Sequence, residues 1–258
     1  MRRIKKIYKG GNIPLKNKIY FLSDLHLKLD REPETLMRKQ KFIRFLKKIP
    51  DDTCRIIFLG DIFDFWYEWY FVVPGFHFDV FYEIRKLIDR GVKIIYIAGN
   101  HDFCLGNYLK KEVGINCFSN EMSFEHSKKR FWIYHGDGIA ASDKSYRLMK
   151  KILRSGISNF LFRTFIPPDL GILIAKMTSG TSRKYRSPNK KKHNGSEYLA
   201  FAGSKIKEGY DFVLMGHRHY PETVRLGKGM YVNTGDWMKH FSYAVFDGEN
   251  IKIEKYNG

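Results

Sequence analysis

Five short segments of the sequence carry carboxylate, imidazole and amide side chains at spacings that suit metal chemistry. They are SDLHL with Asp24 and His26, GDIFD with Asp61, GNHD with Asn100, HGD with His135, and GHRH with His217 and His219. Alternate residues of an extended chain face the same way, so each DxH or HxH pair can point into one pocket. Oxygen and imidazole ligands without thiolates suit manganese, iron or zinc. The sequence therefore predicts a metal centre other than a structural zinc site built on cysteine.

Asp61 occupies the position around which the other four segments are expected to gather. It follows the apolar run 56–59 and a glycine, as a residue at the carboxyl end of a buried strand would. Open α/β sheets bind their ligands at that end of the strands. A carboxylate that leaves a strand there is held rigidly, and each of its two oxygens can bind a separate cation. We therefore predict that Asp61 bridges two metal ions.

The predicted secondary structure places these segments at one edge of a sheet. Strands over 18–22, 56–59 and 92–97 alternate with helices over 33–49 and 78–90, which is typical of a βαβ sheet. Shorter strands are predicted over 115–118, 121–124, 130–134, 211–215, 223–226, 230–233, 242–246 and 250–254. We expect a second sheet to form from the C-terminal strands.

The composition indicates a globular chain with a sizeable core. Its 258 residues are 43% hydrophobic and 16% aromatic, which suits one large domain. The three cysteines, Cys54, Cys104 and Cys117, form no CxxC pair, so we expect a reducing compartment and no disulfide framework. No stretch reaches about 18 uncharged apolar residues, so no segment is predicted to span a membrane.

The formal net charge of +19 requires either a partner or a solvated, lysine-rich surface. A field of this sign favours nucleic acid, an anionic membrane surface or phosphorylated substrates. Composition alone does not choose among these partners.

The order of the five segments resembles the calcineurin-like metallophosphoesterase superfamily, whose pattern is DxH, GDxxD, GNHD, then H and GHxH. The resemblance covers residues 18–254. It implies an α/β fold, a four-layer α-β-β-α sandwich of two mixed sheets, with 1–258 as a single domain and 143–209 as a helical cap insertion. It also implies two metal sites, which share Asp61 as a bridge. The first would use Asp24, His26 and His219, and the second Asn100, His135 and His217.

Finer motifs resemble the UDP-2,3-diacylglucosamine pyrophosphatases of lipid A biosynthesis, namely DLHL, GDIFDFW, GNHDF, HGDGIAASD and GDW. The resemblance implies hydrolysis of a UDP-linked diacylated glucosamine lipid to UMP and the acylated sugar 1-phosphate. It implies two divalent ions, with Mn²⁺ expected, and a cytoplasmic enzyme peripheral on the inner membrane. The cap would receive two acyl chains. Asp143 would contact the glucosamine, and Ser182, Arg183 and Lys184 would lie near sugar or phosphate.

His101 and Asp64 are the predicted catalytic residues beside the ligands. His101 follows Asn100 and is expected to aim at the phosphate or the leaving oxygen, while Asp64 would orient it. Alternatively, Asp64 caps a helix or a turn. The chain reads GNHDF where well-known members of the narrower family read GNRDF, and GHRHYP where they read GHTHRP. These departures indicate a divergent branch.

An apolar segment supports a lipid substrate independently of the resemblance. Residues 157–177 are rich in Phe, Leu and Ile, and Pro167 and Pro168 divide them into two short amphipathic helices. Such helices form an apolar groove or lie in a membrane interface; the alternative is an ordinary helical hairpin on the core. The aromatic residues within 66–76 either line the same groove or belong to the core.

Two other functions compete with the lipid pyrophosphatase. A nuclease or general phosphodiesterase would explain the charge of +19. A non-catalytic scaffold of the same fold would be expected to lose ligands, yet all seven ligand positions are filled. We therefore expect an enzyme acting on a lipid, with nucleic acid not its partner.

Overall fold

A computed structural model describes residues 16–184 and 195–258, with the backbone alone for 142, 144–146 and 178–184. The strands are β1 (Lys18–Leu22), β2 (Thr53–Phe58), β3 (Lys93–Ile97), β4 (Asn116–Phe118), β5 (Met122–His126), β6 (Lys129–Tyr134), β7 (Phe212–Met215), β8 (Pro221–Leu226), β9 (Gly229–Thr234), β10 (Ser242–Phe246) and β11 (Ile251–Lys255). The helices are α1 (Pro33–Lys47), α2 (Phe78–Asp89), α3 (Lys144–Leu153), α4 (Gly156–Phe165), α5 (Pro168–Lys184) and α6 (Gly195–Lys207).

The first sheet has six strands in the order β11-β10-β1-β2-β3-β4. Strands β1 to β4 run parallel, and α1 and α2 make the crossovers between β1, β2 and β3. Since parallel strands end at the same edge, the loops after β1, β2 and β3 meet there. The predicted βαβ sheet with one polar edge is therefore confirmed.

The last two strands differ from the prediction, because they join the first sheet instead of the second. Strand β10 pairs antiparallel with β1, with Ile19 opposite Phe246, and β11 extends the edge. Every residue of β10 is buried. Its side chains enter two cores, with Tyr243 packing on Phe45 and Phe246 packing on Phe131. A strand that is apolar on both faces suits a central position in a sheet.

The second sheet has five strands in the order β5-β6-β7-β9-β8, with β6, β7 and β9 parallel. Its inner face packs on the first sheet through residues such as Phe131, Leu214 and Val232. Helices α1 and α2 cover the outer face of the first sheet. Helix α6 covers the outer face of the second through Tyr198 and Ala202. The four-layer α-β-β-α sandwich of two mixed sheets is therefore confirmed.

Helices α3, α4 and α5 lie between β6 and β7 in the chain and keep many apolar side chains exposed. Helix α4 ends at Phe165 and α5 begins at Pro168, so the prolines divide the apolar segment. Trp69 and Tyr67 hold α4 through hydrogen bonds that they donate to the carbonyl oxygens of Ile166 and Asn159. No helix in the described part of the chain is both long enough and apolar enough to cross a membrane.

Candidate metal centre

The carboxylate and imidazole side chains predicted as ligands converge at the carboxyl ends of β1, β2, β6 and β7. Three groups have ligand atoms that lie within 4.8 Å of one another. The groups are Asp24, His26 and His219; His26, Asp61 and His101; and Asp61, His135 and His217. The first and third match the two sites that the resemblance implies, apart from Asn100.

Asp61 lies between the two groups. Its Oδ2 atom is 3.7 Å from Nε2 of His26 and 3.4 Å from Nε2 of His135. Asn100 belongs with the second group, because its Oδ1 atom lies 3.1 Å from the same nitrogen of His135. His219 belongs with the first group, with Nε2 3.3 Å from Oδ1 of Asp24. The side chains that follow five separate strands, β1, β2, β3, β6 and β7, thus face one centre.

The backbone at this centre is held in an uncommon conformation. Eight non-glycine residues among those described have positive φ, and five of them are predicted ligands. These five are Asp24, His26, Asp61, His217 and His219, with φ between 47° and 67°. L-residues in the left-handed region cost free energy and cluster where function requires them. The strain is therefore concentrated at the centre, as expected for a functional site.

Two polar side-chain atoms at the centre lack a hydrogen-bond partner among the described residues. Oδ1 of Asp24 and Nε2 of His26 are buried and make no hydrogen bond within the described part of the chain. Their separation of 3.8 Å is too long for a hydrogen bond between them. Buried polar atoms of this kind are costly unless a ligand satisfies them. Oxygen and nitrogen donors in this arrangement fit divalent metal ions.

The carboxylates and imidazoles at the centre shift one another's pKa values, and each favours the charged form of the other. Burial alone would raise the pKa of Asp24, but His219 and His26 lower it far below its usual value. Burial opposes a proton on His26, yet Asp24 and Asp64 raise its pKa to about 9. His135 is buried as well, and Asp61 raises its pKa to about 10. In the metal-free protein these imidazoles therefore carry protons at neutral pH.

Asp64 and His101 lie beside the predicted ligands. Oδ1 of Asp64 is 3.2 Å from Nδ1 of His26 but 3.6 Å from Nδ1 of His101. The carboxylate is therefore closer to a candidate ligand than to the residue that it was predicted to orient. The backbone oxygen of Asp64 is 3.1 Å from Nδ1 of His101, and the His101 amide donates to Oδ1 of Asp61.

Asp102 is an important residue of the site that the sequence reasoning missed. Its buried carboxylate accepts hydrogen bonds from the amides of Asp61, Phe63 and Gly99 and from the hydroxyl of Tyr96. It therefore ties the loop after β2 to the loop after β3. The sequence signal for it is its position in GNHD, directly after His101.

The predicted substrate residues lie on α5 or directly before α3, in the part of the chain between β6 and β7. Asp143 is half-buried and directly precedes α3. Ser182, Arg183 and Lys184 form the end of α5, where the structure describes the backbone alone. A cleft of about 440 Å³ opens between the loop after β3 and helices α3 and α4. It is lined by Phe103, Cys104, Leu105, Gly106, Ser119, Asn120, Arg154, Asn159 and Arg163.

Comparisons with known proteins identify the family and several relatives of this chain. The family model of the calcineurin-like phosphoesterases matches residues 17–221. A protein of Porphyromonas gingivalis named UDP-2,3-diacylglucosamine hydrolase is 31% identical over 93% of this chain and 98% of its own length. A protein of the same name from Neisseria meningitidis serogroup B is 28% identical over 92% of this chain and 98% of its own.

Solved structures also resemble the chain, at lower identity. An archaeal phosphodiesterase aligns with a TM-score of 0.44 and 16% identity, over 92% of this chain and 98% of that one. Vacuolar protein sorting 29 of Cryptosporidium parvum aligns with a TM-score of 0.44 and 10% identity, over 92% and 96%. The family match over 17–221 and the identity of 31% mean that this chain belongs to the calcineurin-like phosphoesterases, a family of metal-dependent hydrolases.

Proposed function

We propose that the protein hydrolyses the pyrophosphate of UDP-2,3-diacylglucosamine to UMP and 2,3-diacylglucosamine 1-phosphate. The observation that carries the proposal is the convergence of carboxylate and imidazole donors around Asp61. The names of the relatives, which align over nearly their whole length, supply the substrate. In the reaction, the oxygen of water bonds to the α-phosphorus and the bond from that phosphorus to the bridging oxygen breaks.

The two metal sites are proposed to use the seven side chains already described. Asp24, His26 and His219 would hold one ion, and Asn100, His135 and His217 the other, with Asp61 between them. Two divalent cations, when bound, supply a nucleophile from water at neutral pH and stabilise charge on the phosphoryl oxygens. The donor set of carboxylate, amide oxygen and imidazole without thiolate suits manganese, iron or zinc, and Mn²⁺ is the proposed ion because the family resemblance implies it.

His101 and Asp64 are proposed to assist at the reacting phosphate. The His101 side chain is partly exposed, and its Nδ1 atom is occupied by the backbone oxygen of Asp64. Its other ring nitrogen is therefore left to meet the phosphate or the leaving oxygen. The carboxylate of Asp64, 3.2 Å from His26, would fix the orientation of that imidazole toward the metal.

Helices α3, α4 and α5 are proposed to form a cap for the acyl chains, within the insertion predicted over 143–209. Exposed apolar side chains on these helices support it, namely Leu148, Met149, Ile152, Leu153, Ile157, Phe160, Leu161, Phe165, Leu170, Leu173, Ile174 and Met177. The cleft beside the loop after β3 opens toward the same helices. Asp143 would contact the glucosamine, and Ser182, Arg183 and Lys184 would lie near sugar or phosphate.

The same helices support docking on a membrane surface. A lipid with two acyl chains resides in a bilayer, so an enzyme that takes it up benefits from an apolar face at the interface. Basic residues such as Arg163 and Lys176 lie on these helices, and the net charge of +19 favours anionic lipids. We propose a peripheral position on the cytoplasmic face of the inner membrane.

The direct test is to incubate the purified protein with UDP-2,3-diacylglucosamine and Mn²⁺ in water enriched in ¹⁸O. We expect UMP that carries the label, and no UMP when a chelator removes the metal. Label in the sugar phosphate would contradict attack at the α-phosphorus. Absence of UMP, together with cleavage of DNA and a steep loss of DNA binding with salt, would favour a nuclease instead.

The role of the cap has its own test. Phe160→Glu and Leu173→Glu place charges among the exposed apolar side chains, and Phe78→Glu on α2 is the matched control. We expect the two cap variants to lose activity on the diacylated substrate while keeping it on a small nitrophenyl phosphodiester. Equal loss on both substrates would count against acyl recognition by the cap.

A further inference from the structure

Helix α3 presents basic side chains to the loops that carry two predicted metal ligands. Arg147 and Lys150 lie in the helix, and Arg154 directly follows its last residue. Their spacing of three and four residues places them on one face. This face points at the loop after β6, which carries His135, and at the loop after β3, which carries Asn100.

Lys150 makes the central contact of this face. Its Nζ atom lies 2.7 Å from Oδ2 of Asp137 and donates to the hydroxyl of Tyr134 at 2.8 Å. That hydroxyl in turn donates to the backbone oxygen of Asp137 at 2.7 Å. Asp137 is buried and lies two residues after His135. The three residues therefore form a closed ring of contacts, through the side chain and the backbone oxygen of Asp137, that fixes the turn directly after the ligand.

Arg147 and Arg154 extend the contact in both directions. Arg147 donates to the backbone oxygens of Gly138 at 3.0 Å and Ala140 at 2.8 Å, further along the loop after β6. Arg154 donates to the backbone oxygen of Gly99 at 2.8 Å. Gly99 directly precedes the predicted amide ligand of the loop after β3. One helix of the proposed cap thus connects two loops that the metal centre depends on.

We infer that Lys150 is a positioning residue that acts through Asp137 to hold His135 in place for metal binding, and so couples the cap to the metal centre. The inference rests on the proposed two-metal function. A buried carboxylate keeps its position only while its charged partner remains. Without the ammonium group, Asp137 would turn toward water or toward His135, and the loop would lose its fixed geometry.

The test is a calorimetric titration of the metal-free protein with MnCl₂, combined with steady-state kinetics. Wild-type protein should bind two equivalents. In Lys150→Met one of the two binding steps should weaken by about 10–100-fold, as for other residues that orient metal ligands. The kcat should fall more than KM changes, and Lys150→Arg should recover part of both losses. Lys205→Met on α6 is the matched control, since the Lys205 side chain is also largely buried and its Nζ atom lies 3.0 Å from Oε1 of Glu208.

Unchanged Mn²⁺ binding in either of two variants overturns the inference. Wild-type Mn²⁺ binding by Lys150→Met would reduce α3 to an anchor of the cap, even if the KM for the lipid rises. If Lys150→Met does not fold, Tyr134→Phe removes one contact of the ring and should weaken the same binding step by a smaller factor. Unchanged binding in that variant would also overturn it. If the wild-type protein itself binds fewer than two equivalents of Mn²⁺, both the two-metal function and the inference about Lys150 fail. If it binds two equivalents and the variants bind as the wild type does, only the inference about Lys150 fails.

Discussion

Replacing Gly99 by alanine tests how closely the metal centre is packed. A Cβ atom on Gly99 would lie 2.1 Å from Oδ1 of Asp61 and 2.5 Å from the Asp61 backbone nitrogen. Atoms in ordinary contact stand about 3.5 Å apart, so the two loops must separate by more than about 1 Å. Gly99 does not have positive φ, so alanine at this position would cause no backbone strain, and the displacement of the loops comes from lack of space alone. A displacement of about 1 Å at reacting groups costs about 10²-fold in rate.

We therefore expect Gly99→Ala to lower kcat about 10²-fold and to weaken Mn²⁺ binding, while the far-ultraviolet circular dichroism stays unchanged. Gly203→Ala on α6 is the control, because its Cβ would meet nothing within 4 Å. Alanine in a helix interior stabilises by about 0.5–1 kcal/mol relative to glycine, and kcat should not change. Wild-type kcat and metal content in Gly99→Ala would show that the loops can adapt, and would refute the reasoning.

Three other predictions concern histidine side chains. Burial and Lys39 lower the pKa of His77 to about 3 in the folded protein, against about 6.5 in the unfolded chain. Between these two pH values only the unfolded chain binds the proton, so stability falls by about 1.4 kcal/mol per pH unit as the pH drops from 6.5 to about 3. Urea unfolding of His77→Phe should lack this loss, and an identical pH profile would contradict it. His26 and His135, with pKa values of about 9 and 10, carry protons at pH 7, and Mn²⁺ must displace these protons to bind. Calorimetry in buffers of different ionisation enthalpy should therefore detect proton release, and the affinity for Mn²⁺ should rise toward pH 9. Binding that is independent of pH would refute this. His101→Ala should lower kcat by about 10²–10⁴-fold, and unchanged turnover would leave it a residue of the turn.

Much of the fold could be predicted because local sequence patterns and tertiary structure agree. Apolar runs that end in Asp24, Asp61 and Asn100 are parallel strands, and the carboxyl edge of such strands brings their loops together. The helix over 78–90 and the glycine that follows it illustrate the same agreement. The predicted ligands converge because the sheet topology brings these loops together, and the spacing and residue types of the ligands already indicated that convergence.

The rest depends on contacts between distant residues that no local pattern encodes. Strand β10 has the same apolar character as the strands of the second sheet, so its pairing with β1 required the fold. In the sequence, Asp102 is one more acidic residue of a motif. Only the structure shows that its carboxylate accepts hydrogen bonds from four donors. The ion pair of Lys150 and Asp137 joins a helix to a loop through partners 13 positions apart. Side-chain pairing of this kind is set by packing, which the sequence specifies only through the whole structure.

The central claim is that Asp61 lies between two metal ions and holds both. The most direct measurement is the metal content of the purified protein after loading with Mn²⁺ and desalting, for the wild type and for Asp61→Ala, together with UMP formation. We predict two ions per chain and turnover in the wild type, and fewer ions with no turnover in the variant. Two ions per chain in Asp61→Ala would contradict the account.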